Sequence, residues 1–255
     1  MAWFFSILHI ILALSIGYVF KRVVRKLTDL HICNYLNEMV STYEFSTFVF
    51  ELAVFGRVYG FNTALLAVFC LLVAKNYKLL FQGRTVNPCG SIEHLFTSSR
   101  RRYVLMLWVM QLLGAYFSYF YVVSIWQLSQ SYHHLQHLKY GWNPQPKVGL
   151  GVGFIIEFSA TFLCHLIECA TRKNGYESMN PTLSAVTCVA VTYLFAETTG
   201  VWMNPALATV HLFQLENTLG QNILVFWLAP LLAASLAYQC NNAVNVTQNR
   251  TRKIA

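Results

Sequence analysis

The chain has 255 residues, 56% of them apolar and 11% charged, with 18 Lys and Arg against 10 Asp and Glu and a formal net charge of +8. A soluble domain carries about 25% charged residues, so this composition excludes an ordinary water-soluble fold and points to a lipid-exposed surface. The basic residues are scattered between apolar runs and build no long patch, which argues against nucleic acid as a partner.

A helix needs about 20 largely apolar residues to cross a bilayer. Seven stretches meet or approach that: 3–20, 39–56, 58–74, 103–127, 148–167, 179–196 and 221–239. The first is followed by Lys21, Arg22, Arg25 and Lys26. That order fits a retained anchor with its amino end outside better than a cleaved signal peptide or a helix lying on the surface. Two shorter segments, 86–96 and 203–215, fall below spanning length, and each opens around an Asn-Pro pair. If the chain starts outside and both short segments re-enter without crossing, 15 of the Lys and Arg fall on one side of the membrane. Only Arg57, Lys139 and Lys147 fall on the other. The positive-inside rule makes the richer side cytoplasmic, together with the carboxyl-terminal tail. The sequons at Asn245 and Asn249 lie in that tail and are expected to go unused.

The chain also contains an internal repeat. Glu44-Phe45-Ser46-Thr47 precedes Asn87-Pro88-Cys89, and Glu157-Phe158-Ser159-Ala160-Thr161 precedes Asn204-Pro205-Ala206. The Glu-to-Asn spacing is 43 residues in the first half and 47 in the second, and a glycine stands four residues before each Asn, Gly83 and Gly200. Each half holds three spans, so the second is inverted relative to the first, an arrangement that places a transport site near the midplane. The organisation read from this is an N-terminal hydrophobic helix over 1–28, a channel domain over 39–240 with repeats 39–128 and 148–240, and a polar tail over 241–255.

Irregular backbone at membrane depth persists only where protein or a water-filled cavity surrounds it. Proline suits the first helical position, and asparagine is a favoured cap. The two Asn-Pro segments are therefore expected to be half-helices whose N-termini meet at the bilayer centre. Their partial positive charge repels cations there. Glu44 and Glu157 lie inside apolar spans. They could couple protons, or they could accept hydrogen bonds from the re-entrant loops; their equivalent repeat positions favour the second role. Glu51 has no repeat counterpart and could face a subunit contact or the pore mouth.

On these residues the chain resembles the major intrinsic protein, or aquaporin, family over roughly 41–240. Gln111-Leu112-Leu113-Gly114-Ala115 and Trp227-Leu228-Ala229-Pro230-Leu231-Leu232 add to the resemblance. Cys89 in the first box, the added N-terminal segment and a weak first half resemble the unorthodox superaquaporin branch. The resemblance implies an all-α membrane fold: an inverted repeat of 3+3 transmembrane helices with two re-entrant half-helices, plus the extra N-terminal helix. It also implies homotetramers and an intracellular membrane, notably the endoplasmic reticulum. Typical members carry arginine directly after the second box, where this chain has Leu207. Counted from the boxes, the other constriction positions are Thr192, Val201 and Ala67. That filter is apolar, and it implies passage of water and small neutral solutes such as glycerol or hydrogen peroxide, or else a dewetted gate.

Neither a cofactor nor a metal is expected, and no nucleophile–base–acid set suggests an enzyme. The alternatives are a non-conducting structural protein that keeps the fold, or a transporter coupled through Glu44, Glu51 or Glu157. The seven cysteines read as buried thiols. Cys89 could be open to thiol reagents or could simply replace alanine. His133, His134 and His137 read as a solvated loop rather than a metal site. His165, Glu168 and Cys169 read as ordinary helix packing. Gly149, Gly151 and Gly153 read as a close helix contact.

Overall fold

A computed structural model describes residues 3–57, 68, 70–73, 76–81, 83–96, 100–140, 146–173, 179–212 and 219–254, and every regular element in it is helical. The long elements are α1 (Trp3–Leu27), α2 (Leu30–Arg57), α4 (Arg101–Ser129), α6 (Leu150–Lys173), α7 (Asn180–Phe195) and α10 (Ala229–Ile254). Shorter ones are α3 (Tyr77–Leu80), α5 (Tyr132–Tyr140), α8 (Pro205–His211) and α9 (Leu219–Gln221). A 3₁₀ helix over Pro88–Phe96 is the first half-helix, and α8 is the second.

Among the described residues, four helical stretches are long and apolar enough to span a membrane: Phe4–Leu27, Arg101–Ser129, Leu150–Thr171 and Leu219–Val244. α2 is long enough but too polar for that criterion. The reason lies in its buried face. Asn37, Glu38, Ser41, Thr42, Glu44, Ser46, Thr47 and Glu51 are all buried, and α1 and α4 pack over them. Lipid therefore meets the apolar outer faces of its neighbours, including Ile7, Ile11, Phe20 and Val23 on α1. α1 is built into the bundle rather than appended to it.

Several boundaries differ from the sequence reading. α2 starts at Leu30, ahead of the expected 39, because Asp29 caps it: its Oδ1 accepts from the Ile32 N–H at 2.9 Å. The expected span 58–74 lies mostly outside the described residues; 70–73 are helical. The tail expected from 241 is a helical continuation of α10 to Ile254. Asn222–Leu228 is π-helical, and the Ala229 N–H donates to the Leu224 carbonyl five residues back. Pro230 explains the widening. Its ring clashes with the carbonyl four residues earlier, and an inserted residue in the turn relieves the clash.

α2 and α4 approach each other closely. A Cβ on Gly114 would run into the Met39 carbonyl oxygen and crowd Thr42. At this crossing only glycine lets the backbones meet.

Candidate pore centre and comparison with known proteins

The two half-helices meet through their asparagines. Asn87 Nδ2 donates to the Met203 carbonyl at 2.9 Å, and Asn204 Nδ2 donates to the Val86 carbonyl at 2.9 Å. Each amide oxygen turns back to cap its own half-helix. Asn87 Oδ1 accepts from the Cys89 N–H at 2.9 Å; Asn204 Oδ1 accepts from Ala206 at 3.2 Å and Leu207 at 3.4 Å. Each amide thus spends one N–H on the opposite loop and keeps a second.

The residues just before the asparagines make this geometry possible. Val86 and Met203 are both left-handed, with φ of 43° and 49°. That conformation costs a β-branched residue the most. It turns each carbonyl towards the opposing loop. Gly83 and Gly200, at φ of 72° and 83°, bring the chain into each turn.

A carboxylate holds each strained residue by its N–H. Glu157 accepts from Trp202 and Met203, both at 3.0 Å. In the first half the corresponding acid is Glu38, not Glu44. Glu38 Oε1 accepts from the Val86 N–H at 2.7 Å, the Thr85 hydroxyl at 2.6 Å and Gln111 Nε2 at 2.8 Å. Glu44 instead pairs with Lys21 of α1 at 2.6 Å, beneath Gly17, where a Cβ would collide with its carboxylate. The Glu-Phe-Ser likeness around 44 and 157 misdirects the alignment. Spacing was the better signal, because Glu38 precedes Asn87 by 49 residues and Glu157 precedes Asn204 by 47.

A further matched pair was not read from the sequence. The Trp108 indole N–H donates to Ser91 Oγ on the first half-helix at 2.9 Å. The Trp227 indole N–H donates to Thr209 Oγ1 on the second at 2.8 Å. Each half-helix is therefore bolted to the long helical segment that follows it.

Of the remaining expected residues, Cys89 is 1% exposed and packs with Ile92 and Ala234. Pro88, Pro205 and Ala206 are buried. Leu207 is buried on α8, and Val201 is left-handed and packed with Ala160, Val191 and Met203. Thr192 is half-buried on α7, and Ala67 lies outside the described residues. His211 is one turn beyond Leu207, so it shares that face of α8. It is buried, stacked on Phe50 with ring centroids 3.7 Å apart, and lies near Trp202. The buried Trp202 indole N–H has no acceptor among the described residues.

Two other expectations change, those for Glu51 and for the histidines of α5. Glu51 is fully buried, and its carboxylate is bound by His9, His134 and Trp126, so it faces neither a subunit contact nor the pore mouth. His134 and His137 are buried and His133 half-buried on α5 rather than in a solvated loop, since α2 and α4 pack against that helix and Ser6 of α1 reaches His134. His165, Glu168 and Cys169 line a small cavity with Cys89, Glu93 and Tyr238 beneath the first half-helix. All seven cysteines are free thiols.

Two half-helices capped N-terminus to N-terminus within an inverted helical bundle define a membrane channel of the broken-helix kind. The sequence profile of the Major intrinsic protein family matches residues 62–239, and the chain belongs to that family, the aquaporins. It is 25% identical over 239 residues to "Aquaporin-11" of Milnesium tardigradum, covering 91% of this chain and 84% of that one. It is 24% identical over 164 residues to "Aquaporin-11" of Equus caballus, covering 62% of this chain and 58% of that one. These relatives place it with the superaquaporin branch. The X-ray structure of the aquaglyceroporin from Plasmodium falciparum shares the fold, with a TM-score of 0.64 at 16% identity over 82% of this chain and 94% of that one. The protein is therefore a multi-pass membrane protein with a channel fold.

Proposed function

We propose that the chain conducts water and small neutral solutes, glycerol and hydrogen peroxide among them, passively through a pore centred on Asn87 and Asn204. The reciprocal Asn87–Met203 and Asn204–Val86 hydrogen bonds carry this reading. They hold two helix N-termini together while leaving each amide a donor for the oxygen of a passing molecule. Two facing N-termini also oppose the entry of a cation.

Selectivity then rests on Thr192, Val201, Leu207 and Ala67. Leu207 supplies no charge where family members carry arginine, so the constriction is wide and weakly polar. His211, at the end of α8, and the Trp202 N–H beside it, which has no acceptor among the described residues, supply polar contacts for a hydroxylated solute. Coupled transport through Glu44 or Glu51 finds little support, because both carboxylates are bound to α1 and its neighbours rather than to the boxes. The same reading takes the protein to be a homotetramer in an intracellular membrane, the endoplasmic reticulum, with its carboxyl terminus in the cytoplasm.

Stopped-flow flux into proteoliposomes tests this. Purified protein should raise glycerol and peroxide permeability above that of empty liposomes. Leu207→Arg should lose solute flux before water flux. Rates equal to empty liposomes for all three molecules would leave a structural protein that keeps the fold, and unchanged selectivity in the variant would remove Leu207 from the constriction.

A further inference from the structure

Away from the half-helices, three buried side chains from three elements converge. They are His9 of α1, Glu51 of α2 and His134 of α5, exposed by 2%, 0% and 0%. His9 Nδ1 is 3.0 Å from Glu51 Oε1, and His134 Nε2 is 3.1 Å from Glu51 Oε2. The three donor atoms all lie within 4.8 Å of one another. We propose that these residues form a zinc site that clasps the N-terminal helix to the channel body.

The donor set is the first argument. Two imidazole nitrogens and one carboxylate are a ligand triad that zinc takes while keeping a fourth position open. Calcium and magnesium prefer oxygen ligands throughout. The spacing is the second. A tetrahedral zinc with bonds of about 2.0–2.1 Å separates its ligand atoms by about 3.3 Å; each imidazole nitrogen stands near that distance from its own oxygen of the Glu51 carboxylate, and the three donor atoms lie within 4.8 Å, so a small inward shift of the side chains closes them around one ion. Ser6 Oγ lies 2.9 Å from His134 Nε2, beside the open position. A hydroxyl or a water can fill it.

The surroundings are the third argument. Metal-bound histidines and carboxylates are held by outer hydrogen bonds that fix their orientation. Ser131 Oγ lies 2.8 Å from His134 Nδ1 and can accept a hydrogen bond from a proton held there, which would leave Nε2 to turn its lone pair inward. The Trp126 indole N–H donates to Glu51 Oε1 at 2.7 Å. Tyr121 OH donates to the His9 carbonyl at 2.8 Å and steadies that turn of α1. On zinc entry the protons shared between the imidazoles and Glu51 would leave to solvent and His9 would keep a proton on Nε2; no covalent bond other than coordination forms. The rival arrangement fills the same space with protons as a buried ion pair.

The test uses the full chain, purified, stripped with a chelator and dialysed against micromolar zinc. The expected result is one tightly held zinc per chain and a rise in unfolding temperature of roughly 3–8 °C. Zinc-edge X-ray absorption should show nitrogen and oxygen neighbours at about 2.0 Å with imidazole scattering, and no sulfur shell at about 2.3 Å. Glu51→Gln and His134→Gln should each weaken binding by at least about 100-fold. Absence of bound zinc at these concentrations, a sulfur shell, or undiminished binding in a folded variant would overturn the site in favour of the ion pair. Because the absorption measurement is made on the unaltered chain, the answer stands even if a variant fails to fold. None of these outcomes depends on conduction, so the site and the channel reading stand or fall separately.

Discussion

Replacing Glu38 by alanine should open the first re-entrant loop. The carboxylate accepts from the buried Val86 and Gln111 and from the half-buried Thr85. The Thr85 hydroxyl and the Gln111 amide also bond each other at 2.9 Å and can readjust. The Val86 N–H cannot, because its left-handed backbone aims it at residue 38. A buried donor left unsatisfied costs about 1–3 kcal/mol, and the bonds lost at Thr85 and Gln111, partly replaced by their bond to each other, add about 1 kcal/mol. The sum is about 2–4 kcal/mol, or roughly 4–16 °C in unfolding temperature for a chain of this size. Water flux should fall with it, since the Val86 carbonyl would no longer be presented to Asn204. The contrast is the double variant Lys21→Met with Glu44→Gln, which removes both charges of a buried pair and should be close to neutral. Thermal unfolding in detergent and stopped-flow flux on both proteins decide the matter. Native stability and flux in Glu38→Ala, or loss of flux in the double variant, would refute the assignment of Glu38 to the loop.

Gly114→Ala should destabilise by about 3 kcal/mol or more, since its Cβ meets backbone at Met39 and α2 must move away from α4; chemical denaturation measures it. Asn87→Ala and Asn204→Ala should be strongly non-additive, with a coupling of about 1–3 kcal/mol in a double-mutant cycle, because each amide serves the other loop. Maleimide labelling followed by mass spectrometry should find Cys240 modified and Cys89 and Cys33 protected, following exposure on α10 and burial at the other two positions.

The inverted repeat and the half-helix caps were legible because their chemistry is local. Asn-Pro fixes a cap within three residues, and Gly83 and Gly200 announce the turns that precede them. Glu157 was legible through its spacing to Asn204. Glu38 was not, because Glu44 sits in a run resembling that around Glu157, and only tertiary packing reveals that α1 claims Glu44 through Lys21. α2 was foreshortened for a related reason. Its polar residues lowered the apparent apolarity of a helix whose polar face is covered by protein. The His9, Glu51 and His134 cluster joins positions separated by 42 and 83 residues, a distance over which no sequence pattern constrains side-chain direction.

The mutual capping of the half-helices bears on how the protein is made. The first loop finds its partners at Met203 and Asn204, 116 and 118 positions from the residues they bind. A chain emerging from the ribosome at about 5–20 residues per second therefore holds the first loop without those partners for about 6–24 s. During that interval Val86 exposes an unpaired carbonyl, and Asn87 an unpaired amide, to whatever shields them in the membrane. Closure of the pore centre is necessarily a late event in biogenesis, and a truncation anywhere before Asn204 leaves the first box incomplete however well its own helices insert.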